Sequence, residues 1–228
     1  METKPTLRDQ LTSTRVGVSA AEFQAASALD PRQGASWGLW GDSTGDLSVF
    51  ADSTVAAPRL RKDVVLIGAN FGLGGDAGAF RTFQNFHASN SGGDTKLRKA
   101  LTGTVLEGAF LTDVVKDYAT KYADGLAAEI KTGKLDVERY VAAGFKAEQE
   151  ALGIGLDTLY IPIGGRTREL WDLLVDLGVI PAAQRVFHRE YGGGPLFKDK
   201  PVLNLNHYSA AVNMGEAVEA LLSQHSLK

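Results

Sequence analysis

At 228 residues the chain is long enough for one large domain with a sizeable core, and 44% hydrophobic against 22% charged residues excludes a disordered or low-complexity protein. The absence of cysteine excludes disulfides, thiolate nucleophiles and the usual structural zinc sites, and four histidines without paired spacing predict neither a metal nor a cofactor. A net charge of −3 gives no support to a broadly basic nucleic-acid-binding surface, although local basic clusters can serve a channel on an acidic protein.

The chain opens METKPTLRDQLTSTR, without the apolar core of a signal peptide, and no apolar run later approaches the roughly 20 residues of a membrane helix. A cytoplasmic location and no membrane partner are therefore expected. Residues 4–29 carry apolar positions at helical spacing that Asp30-Pro31 ends, which predicts an N-terminal helical extension over 1–36 of a single domain 1–228. Strands are predicted at 48–50, 64–67, 108–111, 158–163 and 202–205, four of them nearly continuous in apolar residues, as a sheet covered on both faces requires. Helical patterns occupy 95–101, 114–128, 137–152, 166–177 and 210–222. This alternation predicts an α/β protein with a parallel sheet between helices.

Open parallel sheets bind ligands outside the carboxyl ends of their strands, so the residues leaving each strand are the first candidates for chemistry. They are Gly68-Ala69-Asn70-Phe71-Gly72, Thr112-Asp113, Gly164-Gly165-Arg166-Thr167-Arg168-Glu169 and Asn206-His207-Tyr208-Ser209. Residues 72–77, GLGGDA, also satisfy the dinucleotide pattern G-x-G-x-x-A. That pattern should begin at the strand exit and be followed by an acidic residue at the end of the next strand, and neither holds here.

Gly68-Ala69-Asn70-Phe71-Gly72 and the run from His207 through Asn213 together resemble the two signature loops of the uracil-DNA glycosylase superfamily, over about residues 37–213. The resemblance implies a three-layer α/β/α sandwich around a mainly parallel, roughly four-stranded sheet. It also implies excision of a damaged or deaminated base flipped from DNA, without a cofactor, with Asn70 and His207 as catalytic residues. The strand running into Thr112-Asp113 resembles the family strand that ends in a base-reading residue. Three positions depart from the family pattern: Phe71 and Tyr208 stand where proline is usual, and Asp113 where many members carry asparagine.

The residue types suit N-glycosidic hydrolysis, in which negative charge grows on the departing base and positive charge on the sugar. A neutral His207 can donate a hydrogen bond to the base carbonyl, and Asn70 can position a water on the far face of the sugar. Gly68 and Gly72 allow close approach of backbone to base, while Phe71, Phe83 and Phe86 are candidate stacking faces and Ser209 a further polar contact. Core packing is the competing account of each phenylalanine. Asp113 conflicts with uracil when ionised, because a carboxylate only accepts hydrogen bonds. It must be protonated, point elsewhere, or read a base with an exocyclic amine; a helix-capping role at the start of 114–128 is a further alternative.

DNA phosphates are expected to meet Arg166 and Arg168 at a helix start, with weaker candidates in Arg59, Arg61 and Lys62 and in Lys96, Arg98 and Lys99. Residues 191–195, YGGGP, are expected to form a loop. The other functional class consistent with these residues is a non-catalytic or repurposed member of the same fold that binds a nucleotide, nucleic acid or protein.

Overall fold

The computed structural model describes residues 5–70, 80–118, 120, 123–186, 205, 207 and 213–224. Phe71, Gly72, Tyr208, Ser209, the loop 191–195 and all but Leu205 of the strand predicted at 202–205 lie outside them. The described residues form a mixed α/β protein with eight α-helices and a four-stranded mixed sheet.

Strands β1 (Ser36–Trp37), β2 (Arg61–Asn70), β3 (Ala109–Val115) and β4 (Leu159–Pro162) lie in the order β1-β3-β2-β4. β2 pairs parallel with β3 and with β4, whereas β1 runs antiparallel to β3, so the sheet is mixed where a mainly parallel one was expected. Beyond β4, Leu205 forms a parallel bridge to Ile163 and accepts a hydrogen bond from the Gly164 N–H at 2.6 Å. That bridge brings His207 to the same end of the sheet as the last residues of β2, β3 and β4.

Successive strand residues face opposite sides of the sheet, and the core divides accordingly. Val65, Ile67, Phe110 and Tyr160 belong to one buried cluster with α2 (Ala20–Ser27), α6 (Ala143–Leu152) and α7 (Gly165–Asp176). Val64, Leu66, Leu111, Leu159 and Ile161 belong to another with α1 (Leu7–Ser13), α4 (Gly92–Leu101) and α8 (Met214–Leu222). Apolar residues at consecutive positions satisfy both clusters, which is why the strands read as continuous runs.

The N-terminal helices each start in a capping box, Thr6 with Asp9 and Ser19 with Glu22. They supply Leu7, Leu11 and Phe23 to the two clusters, so the predicted extension is built into the core.

Two element assignments are corrected. Residues Ser48–Phe50 form a 3-10 turn instead of a strand, because the Asp46 carboxylate accepts from the Ser48 N–H at 2.9 Å and Asp52 caps α3 (Ser53–Ala56) immediately afterwards. The helix predicted over 114–128 begins only at α5 (Leu126–Lys131). Val114 and Val115 instead complete β3, where β-branched side chains fit a strand buried along its whole length and Val115 pairs with Asn70. The pattern at 137–152 is a π-helical turn, Glu138–Ala142, continued by α6, which ends at Gly153 in the left-handed region with φ 61°.

Candidate functional site

A cavity of about 400 Å³ opens at the carboxyl ends of the parallel strands. Gly68 and Asn70 reach it from β2, Asp113 from β3, Gly164 to Thr167 from the start of α7, and His207 from beyond Leu205. The structure thus brings Asn70, Asp113 and His207 to one cavity although 137 positions separate the first from the last.

Asn70 is the last residue of β2, and its Nδ2 donates to the Thr120 carbonyl at 2.8 Å, which orients the amide at the cavity wall. Asp113 is almost wholly buried inside β3. Burial, with Glu148 and Asp94 adding to it, pushes its carboxyl pKa up to about 7 against the opposing pull of the Asn85 bond and of Lys116. A helix-capping role for Asp113 is excluded, because no helix starts there.

Asn85 is the partner that sequence reasoning missed. Its Nδ2 donates to Asp113 Oδ2 at 2.8 Å and lies 2.9 Å from the Gly34 carbonyl oxygen, while its own Oδ1 accepts from the Phe86 N–H. Phe83 and Phe86 flank it with φ of 60° and 62°, two left-handed residues that wind the chain through consecutive tight turns and carry Asn85 to the strand. Donation to Oδ2 leaves Oδ1 as the oxygen that carries the proton in the neutral acid. Oδ1 lies against Gly68, where an added Cβ would fall 2.3 Å from it and 3.4 Å from the Phe86 ring.

Gly68→Ala therefore has to displace the carboxyl or the β2 backbone, and a loss of about 1–3 kcal/mol in stability is expected from such overpacking. Thermal denaturation beside the parent measures it. An unchanged melting temperature would mean that Asp113 is not held as described.

His207 is exposed at the cavity mouth, and a Cβ on Gly164, itself at φ 93°, would come within 3.0 Å of its Cβ. The surrounding protein desolvates the imidazole and lowers its pKa below the usual histidine value, more than the Asp94 carboxylate raises it. His207 is accordingly neutral at pH 7 and able to donate from one ring nitrogen.

α7 begins at the cavity wall without a side-chain cap on its first N–H groups, so donors and the positive end of the helix face the site. Arg166 lines the cavity, but its guanidinium is held by Asp124 at 2.8 Å and Glu169 at 2.6 Å. Arg168 lies outside the lining, 3.9 Å from Asp172. Phe83 is not part of the cavity among the described residues: its ring packs on Phe23, Trp37 and Phe50 in the core. Phe86 is also buried and outside the cavity lining, with its ring tip 3.4 Å from where a Cβ on Gly68 would stand.

Three of the weaker phosphate candidates are engaged elsewhere. Arg61 is buried in an ion pair with Asp63 and donates to the Leu11 and Val105 carbonyls, Lys62 pairs with Glu22, and Arg98 holds the Gly41 and Asp42 carbonyls. The described residues contain no group of three or more acidic or histidine side chains placed to hold a metal ion. No helix among them is long and apolar enough to cross a membrane.

Compared with known proteins, the chain matches no family model, no curated protein and no solved structure.

Proposed function

We propose that the chain is a glycosylase-like hydrolase on a three-layer α/β/α sandwich, cleaving the N-glycosidic bond of a deaminated or damaged base flipped from DNA into the cavity. The observation that carries the proposal is the convergence of Asn70, Asp113 and His207 on one cavity at the carboxyl edge of β2, β3 and the segment after β4. Gly68 admits the base edge, neutral His207 donates to the base carbonyl as charge develops there, and Asn70 positions the attacking water. The uncapped start of α7 faces the phosphate side.

The proton on Asp113 resolves the conflict between an aspartate and a carbonyl-bearing base. As a neutral acid it offers Oδ1–H to the base, while Oδ2 stays with Asn85. Excision of a uracil-like base is then expected to fall as pH rises through about 7, and Asp113→Asn is expected to flatten that limb and raise activity at pH 8. A pH–rate profile of parent and variant measures this. If the natural base instead carries an amine that the carboxylate accepts, the same variant loses activity on that base.

One observation favours a second reading. Arg166, a cation that lines the cavity, is held by two carboxylates, which suits a binding protein for an uncharged ligand such as a free nucleobase better than a DNA enzyme. Incubation with labelled oligonucleotides carrying uracil, hypoxanthine, xanthine or mismatched thymine, followed by alkaline cleavage of abasic sites, separates the two. Cleavage of any one supports the hydrolase, and cleavage of none overturns it in favour of the binding protein.

A further inference from the structure

The turn from Phe83 to His87 is fixed at three of its carbonyls by side chains. Ser36 Oγ donates to the Phe83 carbonyl at 2.8 Å, Trp40 Nε1 donates to the Phe86 carbonyl at 3.3 Å, and His87 Nδ1 lies 2.8 Å from the Asn85 carbonyl oxygen. The Asn85 amide is itself bonded to Gly34 and to the Phe86 N–H, so it meets Asp113 in one way only, with Nδ2 on Oδ2. The carboxyl cannot turn over without losing that bond. Asp113 lines the cavity, and its Oδ1 makes no hydrogen bond among the described residues, yet it is not sealed from solvent as the unpaired Glu148 Oε2 is. One oxygen of Asp113 is therefore left for a ligand.

That oxygen has two opposite characters. In the neutral acid it donates a hydrogen bond, and in the carboxylate it only accepts. We infer that the Asn85–Asp113 pair reads two classes of base at one position, a carbonyl-bearing base when Oδ1 carries a proton and an amine-bearing base when it does not, and that Asn85 is the positioning residue that presents the same oxygen to both. The inference rests on the reading of the cavity as a site for a base, and not on cleavage.

Uracil and cytosine as free bases test it, because they share one shape, differ along one edge by carbonyl against amine, and are uncharged at both pH 6 and pH 8. With the Asp113 carboxyl titrating at about 7, uracil is expected to bind about tenfold more weakly at pH 8 than at pH 6, and cytosine about tenfold more tightly, in proportion to the fraction of each form. Asp113→Asn, with its amide oxygen on Asn85 and its NH2 toward the cavity, should hold uracil at both pH values and lose cytosine. Lys116, Glu148, Asp94, His207 and His87 are the other titratable groups around the pair, and any pH dependence they contribute persists in this variant.

Asn85→Leu should raise the midpoint at which the Asp113 carboxyl carbon titrates by NMR, since the Asn85 bond holds it down, and should move both binding limbs to higher pH. If that variant does not fold, the Asn85 side-chain amide signal of the parent decides, and it should titrate with the Asp113 midpoint. The inference is overturned by a parallel pH dependence of the two bases, by no saturable binding of either, by an Asp113 midpoint unmoved in Asn85→Leu, or by an Asn85 amide signal that ignores the Asp113 titration. A chain that shows the cross-over yet cleaves no oligonucleotide supports the inference and loses the hydrolase reading alone.

Discussion

His207→Ala is expected to lower base excision about 10²–10³-fold, the usual cost of removing one donor aimed at a developing anion. The loss should fall on kcat with little change in KM, because neutral imidazole donates most strongly once charge has moved onto the base. His207→Gln, which keeps an N–H donor, should recover part of it. The parent should also lose activity as pH falls through the lowered histidine pKa, and this limb should be absent from both variants. Single-turnover excision across pH 5–9 measures all of this. A drop in KM alone, or an acid limb that persists in the alanine variant, would remove His207 from the reaction. The melting temperature should barely change, since the side chain is exposed at the mouth.

Lys116→Met is expected to destabilise the fold by about 3–5 kcal/mol, the cost of leaving a buried charge without its partner. Lys116 Nζ donates to Glu148 Oε1 at 2.6 Å and to Thr112 Oγ1 at 2.5 Å, Thr112 donates to the same carboxylate oxygen, and all three side chains are buried. The lysine stem fills the space over Gly144, where an added Cβ would meet it at 2.7 Å, and the ammonium sits 4.7 Å from the centre of the Phe145 ring. Burial raises the Glu148 pKa even with the lysine present. Without the lysine it rises further above its unfolded value. The variant should then be least impaired below the unfolded glutamate pKa and lose stability as pH rises through the folded one. Chemical denaturation at pH 5 and pH 8 checks the direction. Lys116→Met combined with Glu148→Leu should recover most of the stability, since replacing both charges removes the desolvation cost as well as the attraction. A double variant no better than the single one would mean that packing around the lysine stem, not charge, sets the loss.

Two of the central strands and the polar residues at their exits were legible in the sequence because both are local. The apolar runs at 64–67 and 158–163 read as strands covered on two faces, and a strand exit written Gly68-Ala69-Asn70 or Gly164-Gly165-Arg166 declares its polar groups whatever it packs against. Capped helix starts and the left-handed end of α6 at Gly153 are likewise set within a few residues.

What the tertiary structure decided depends on partners far along the chain. Residues 114–115 carry a pattern compatible with helix, and pairing of β3 with β2 makes them strand instead. The antiparallel edge strand Ser36–Trp37 is too short to show a period, and it exists because β3 offers it an edge. The protonation of Asp113 is a property of its surroundings: desolvation inside β3, a bond from Asn85 28 positions upstream, and the more distant charges of Asp94, Lys116 and Glu148. Residue type fixes only the reference value, and folding supplies the shift, because burial and electrostatics act through space and not along the chain.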